Sequence, residues 1–300
     1  VDATDWSWAG LLFDMDNDGL RDIYITNGMN HDLTDLDFND FFANEIIQKM
    51  VLTGKKESID SIINKMPVRP QPNYAYKNNG DLTFSNANKD WGFEIPSLSN
   101  GAAYGDLDND GDLDIVVNNV NMESFVYENN ATSLTDNNYI KFRFEGQDKN
   151  KFAVGTTVML YYDKNVILQE LIPSRGFQSS MDHVMTIGLG KFKTIDSVRI
   201  IWPDDKTEKL EIVAANQYLT LKHSDARDLY TPKVKDKKPA LLKEINNSKL
   251  IAHKENAYND FDYEGLIYKQ LSQEGPALVV GDIDGDGNED IFIGGAKKQS

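Results

Sequence analysis

Three nine-residue frames carry aspartate at positions 1, 3, 5 and 9 and glycine at position 6. They are DMDNDGLRD (Asp14, Asp16, Asp18, Asp22, with Gly19), DLDNDGDLD (Asp106, Asp108, Asp110, Asp114, with Gly111) and DIDGDGNED (Asp282, Asp284, Asp286, Asp290, with Gly287). Alternate side chains at positions 1, 3 and 5 converge on the inside of a tight turn, the glycine permits the reversal, and position 7 (Leu20, Asp112, Asn288) offers its carbonyl oxygen. Negative charge at this density needs a counter-ion. A donor set made only of oxygen suits Ca²⁺, whereas Mg²⁺ demands a strict octahedron and keeps its waters, and zinc prefers nitrogen and sulfur. The expectation is about three calcium sites, one per frame.

Aspartate favours turns through its own side-chain to backbone bonds, but that preference does not give four aspartates at fixed spacing three times over. An EF-hand would place a bidentate glutamate at position 12 and a helix after it. Position 12 is instead Ile25, Val117 and Ile293, and the residues after position 9 read IYIT, IVVN and IFIG, which is strand composition. Each loop is therefore expected to lead into a β-strand.

The surrounding elements follow from the same reading. Residues 1–132 alternate as strands around the first two loops. They are interrupted at about 39–66, where Phe42, Ile46 and Met50 and then Ile59, Ile62, Ile63 and Met66 keep helical spacing, with Gly54 as a stop between them and Pro67, Pro70 and Pro72 beyond. This is a helical hairpin inserted in a β framework. Asn79-Gly80, between YAYK and LTF, predicts a tight hairpin turn. Residues 133–223 hold short strands at regular spacing and no acidic frame, the pattern of a β-sandwich. Residues 224–240 are charged, hold two prolines and read as a linker, and 241–300 restart the strand, loop and strand pattern. A repeat unit of this kind cannot bury its faces alone, so the 300 residues are expected to be part of a longer chain.

Composition narrows the function. The net charge of −17 repels nucleic acid and anionic membranes. The absence of cysteine excludes disulfides, thiolate metal sites and cysteine nucleophiles within this stretch. No apolar run approaches the ~18 residues of a membrane span. Calcium sites of modest affinity fill outside cells, which predicts an extracellular or outer-surface protein. His31, His183, His223 and His253 lie in no metal-binding spacing, and Ser174, Ser179 and Ser180 form no nucleophile elbow. Trp6, Trp8, Trp91 and Trp202, with Tyr161, Tyr162 and Phe177, are expected mostly in packing, with a sugar-stacking platform among them as the alternative.

The three frames, preceded by WAGLLF, GAAYG and GPALVVG, resemble the FG-GAP/VCBS repeats of integrin-α-like β-propellers. The stretch GTTVMLYY…SRGFQSSMDHVMTIGLG…IDSVRIIWPDDKTEKL resembles the ASPIC/UnbV domain, which follows such repeats in exported bacterial proteins and in the cartilage acidic protein group. The resemblance implies an all-β chain: calcium-binding propeller blades, then a β-sandwich-like ASPIC/UnbV domain, then the start of a second propeller. It also implies a surface or secreted protein that binds a protein or glycan, with no catalytic residue assigned. Two variants fit: an accessory subunit of an outer-membrane nutrient-uptake assembly, and anchoring through a lipid carried by a segment outside this stretch. The competing class is a calcium-dependent polysaccharide lyase or hydrolase on a propeller scaffold.

Overall fold

In SWAGLLF every second residue is small or apolar, and β1 (Ser7–Phe13) buries Ala9, Leu11 and Phe13 while its alternate residues face out. The computed structural model describes residues 4–32, 36, 38, 43–54, 58, 63–64, 66–232, 240–244, 252–264 and 266–296. The chain divides into two compact units, 1–233 and 234–300.

In the first unit, β1 pairs antiparallel with β2 (Asp22–Asn27) in the register Leu11↔Tyr24 and Phe13↔Asp22. The short β3 (Gln71–Pro72) comes next, and β2 then pairs with β4 (Tyr74–Asn78), and β4 with β5 (Phe84–Asn86), giving a four-stranded sheet. The hairpin at Asn79-Gly80 is where the sequence places it, but the loop is longer than a two-residue turn. Asn78 pairs with Phe84, Asn79 N–H donates to Thr83 O, and Asp81 Oδ1 accepts the Thr83 N–H at 3.0 Å, which draws five residues into the bend. Between β2 and β3, α1 spans Ala43–Thr53 and stops at Gly54, whose φ is +64°. Most of the second helix of the expected hairpin lies outside the described residues; at its end Met66 N–H donates to Ile63 O.

β6 (Pro96–Ser97) pairs with β3. β7 (Ser99–Gly105), β8 (Asp114–Asn119) and β9 (Phe125–Tyr127) form a three-stranded antiparallel sheet, followed by the single turn α2 (Ala131–Leu134). The two sheets face each other as blades. Leu11, Phe13 and Tyr24 from one meet Ala102, Ile115 and Val117 from the other in one apolar core. Among the described residues no sheet closes on itself.

A sandwich completes the unit. β10 (Asn138–Glu145), β13 (Val184–Gly190) and β16 (Gln217–Lys222) make one sheet with β10 central, and the β10–β16 pairing is parallel. The other sheet orders β12 (Asn165–Glu170), β11 (Thr157–Tyr162), β14 (Thr194–Ile201), β15 (Lys206–Ala214) and β17 (Asp228–Leu229). Inward residues of both sheets, including Ile140, Phe142, Leu160, Val198 and Trp202, share a single core. Asp228–Leu229 falls inside the expected linker. It pairs with Lys206 and Thr207, and Tyr230 N–H donates to Asp205 O, so the start of that stretch is built into the sandwich.

The second unit holds two short 3₁₀ turns, at Asp260–Asp262 and Leu271–Gln273, and the hairpin of β18 (Leu278–Gly281) with β19 (Asp290–Ile293) around the third frame. Among the described residues the protein is almost all-β, apart from these turns, a further 3₁₀ turn at His223–Asp225, α1 and α2.

Candidate metal centres

All three frames take up one backbone design. The residues at positions 4 and 6 are left-handed in each: Asn17 and Gly19, Asn109 and Gly111, Gly285 and Gly287. Position 6 donates its N–H to the position 1 carboxylate, from Gly19 to Asp14 at 2.8 Å, Gly111 to Asp106 at 3.0 Å and Gly287 to Asp282 at 3.0 Å. Position 2 donates to position 9, from Met15 to Asp22, Leu107 to Asp114 and Ile283 to Asp290, at 2.7 to 3.0 Å. Leu20, Asp112 and Asn288 at position 7 donate to the position 5 carboxylate. Each frame then enters a strand at position 9, Asp22 opening β2, Asp114 opening β8 and Asp290 opening β19.

Carboxylate oxygens gather within 4.8 Å of one another in three sets: Asp14, Asp16 and Asp18; Asp106, Asp108 and Asp114; Asp282, Asp284 and Asp290. Asp22, Asp110 and Asp286 stand outside these sets. The second carboxylate oxygen of Asp22 accepts the N–H of Asn78, and that of Asp114 accepts the N–H of Asn129, each at 2.8 Å, so position 9 ties the loop to the end of β4 in one blade and to the residues just after β9 in the other. Asp110 is drawn toward Thr132 Oγ1 at 2.8 Å, and the Asp112 carboxylate accepts both the Thr132 N–H and its hydroxyl.

In the first two loops burial makes some carboxylates costly as anions. It pushes the Asp14 carboxyl well above its ordinary range, with Asp18, Asp16 and Asp22 adding repulsion, and it raises Asp22 and Asp112 to about 6. Asp106 Oδ1 and Asp112 Oδ1 are buried and have no hydrogen-bond partner among the described residues. Two lysines reach the loops. Lys77 of β4 pairs with Asp16 and Asp18, and Lys141 of β10 pairs with Asp106, both partners of the latter pair being nearly inaccessible. Converging oxygens, orphaned buried carboxylate atoms and a preset backbone fit a hard divalent cation.

The sandwich is built against the first two loops. Gly188 lies so close to loop one that a Cβ there would sit 2.0 Å from Asp14 Oδ2 and 2.6 Å from Asn17 Cα, and Gly190 N–H donates to Asn17 O. A Cβ on Gly111 would lie 1.9 Å from the Tyr139 ring. Asn137 donates to Asp16 O at 2.7 Å, and Asn17 links the two loops through Gly111 O at 3.1 Å. Sequence reading found the frames but not Lys77, Thr132, Tyr139, Lys141 or Gly188. The GLG triplet was visible, but its partner lies some 170 residues earlier.

The histidines stay outside these clusters: His223 meets Asp204 at 2.9 Å, His253 meets Glu255 at 2.9 Å, and His183 stacks on Phe152. Of the aromatic residues weighed as a sugar platform, Trp202 is core, whereas Trp8 and Phe177 come together at 4.7 Å.

A family model described as FG-GAP-like repeat matches residues 61–117, which contain the second frame, and one described as ASPIC and UnbV matches residues 146–228 of the sandwich. No curated protein matches the chain. In sequence and fold together, the chain has the architecture of an FG-GAP-like repeat followed by an ASPIC/UnbV domain.

Proposed function

We propose that the three acidic loops are Ca²⁺ sites that stiffen a surface or secreted binding protein whose partner is a protein or a glycan. The observation that carries this reading is the threefold repetition of one loop, down to its hydrogen bonds, around converging carboxylates. Bound Ca²⁺ would offset two of the negative charges in each cluster and hold together the two strands that flank it. At about 100 times its dissociation constant an ion adds ~2.7 kcal/mol per site, a reinforcement suited to a chain without disulfides. Millimolar calcium outside the cell supports an extracellular or outer-surface location, and no helix among the described residues is long and apolar enough to cross a membrane. Membership of an outer-membrane uptake assembly and lipid anchoring through another segment are compatible with the same role.

Thermal melting in chelator, Ca²⁺ and Mg²⁺ tests the metal reading. Calcium should raise the midpoint markedly and magnesium at equal concentration should do so poorly. Equal rescue by both ions, or none, would remove calcium. Release of shortened or unsaturated products from a polysaccharide panel would replace binding with catalysis.

A further inference from the structure

We propose that a cleft shared by the two blades and the sandwich binds a neutral glycan; this rests on the binding-protein reading above and gives it a site and a ligand class. The cleft measures about 580 Å³, within the ~300–1,000 Å³ typical of small-ligand sites. Strand β7 forms one side, and the turn at residues 176–179, part of the GFQSS stretch, forms the other. That turn is seated on the blades. A Cβ on Gly101 would lie 2.9 Å from Ser179 Oγ, and Gly176, at φ +71°, approaches the Leu11 side chain as closely. Phe177 therefore meets Trp8 with ring centroids 4.7 Å apart and planes tilted by 52°, while the Trp8 indole N–H donates to Gly28 O.

Around this pair stand four amide side chains: Asn30, Asn100, Asn118 and Gln178. Among the described residues that line the cleft there is no Asp, Glu, Lys, Arg or His, in a chain with 26% charged residues. An ionic ligand would leave water for a wall that offers no opposite charge, which is costly. A wholly apolar ligand would cover amides without satisfying them. The remaining chemistry is a neutral molecule with an apolar face and a rim of hydroxyl groups, which describes a pyranose. Each amide presents a donor and an acceptor to match a hydroxyl that is both, and an aromatic ring takes the C–H face of the sugar. The amides of Asn100, Asn118 and Gln178 make no side-chain hydrogen bond to any described residue. Gln178 also holds φ +47°, a left-handed strain that persists where the surroundings enforce it.

The test is calorimetry and tryptophan fluorescence on the 300-residue chain in calcium. The probes are neutral oligosaccharides of glucose, mannose, galactose and N-acetylglucosamine, with uronic-acid oligosaccharides beside them. At least one neutral series should bind and perturb tryptophan emission, and the uronic series should not. Phe177→Ala and the surface change Asn118→Ala should each weaken binding at least tenfold, and Asn118→Ala should do so with the melting midpoint unchanged. Binding by the uronic series alone, no binding by any neutral series, or affinities unmoved by both substitutions would overturn the cleft assignment. The calcium-dependent melt is read separately, so failure here is distinguishable from failure of the metal reading.

Discussion

A carboxylate that accepts two backbone N–H groups has its orientation fixed by the fold, and Asp114 is such a group whereas Asp108 holds only the nearby Asp110 N–H. The two aspartates of one loop should therefore respond differently to truncation. Asp108→Ala should abolish the calcium-induced gain of the second loop and leave the chelated midpoint nearly unchanged, while Asp114→Ala should lower both. By scanning calorimetry the lost gain should be about 5–10 °C, if ~2.7 kcal/mol per site converts at roughly 2–4 °C per kcal/mol. Lys141 allows a second test, because its ammonium is the buried counter-ion of Asp106. Removing one partner of a buried pair costs about 3–5 kcal/mol, so Lys141→Met should lower the chelated midpoint and enlarge the gain on adding calcium. A chelated midpoint that stayed put would mean that the pair carries no weight.

At the scale of elements, the frames and their exit strands were legible because both depend on local chemistry: nine residues set the turn, and the β-branched run after them sets the strand. Asp81 shows how narrow that legibility is, since one carboxylate within hydrogen-bond reach of Thr83 widened an expected two-residue turn. The contacts that bury the loops could not be read, because Thr132, Tyr139, Lys141 and Gly188 reach them from other elements. Gly188→Ala tests the closest of these approaches. Its Cβ would meet both a carboxylate and loop backbone, so the calcium response of the first loop should be lost and β13 destabilised in hydrogen exchange. Acid provides an independent check in the metal-free chain. Asp22 and Asp112 are raised from 3.8 to about 6 chiefly by burial, so the folded state holds more protons than the unfolded one between those values. Their contribution is full below pH ~3.8 and is lost as pH rises through about 6. In chelator the midpoint should fall over that window, Asp112→Asn should flatten the fall, and calcium should suppress it.

For the first unit as a whole, the sandwich and the blades meet through loops one and two as well as through the turn at residues 176–179, so metal occupancy should be felt far from the aspartates. Peptides covering β10 and β13 should exchange amide hydrogens more slowly in calcium than in chelator, although those strands contribute no acidic ligand. Protection gained only in blade peptides would show that the two bodies respond independently. The sandwich itself was visible as a class in the strand spacing of residues 133–223. Its seating on the loops was not, because that depends on Gly188 and Tyr139 lying flat against backbone more than a hundred and some thirty residues away respectively.

The close fit of Gly188 over Asp14 and of Tyr139 over Gly111 also has a mechanical meaning. A pull that separated the sandwich from the blades would load both turns together with the segment around Phe177 and Met181 that packs on the blade core, so the ions would sit on the seam that has to part. Stretched between two handles, the molecule should rupture at higher force in calcium than in chelator, with the seam behaving as a clutch that tightens when the medium supplies the ion.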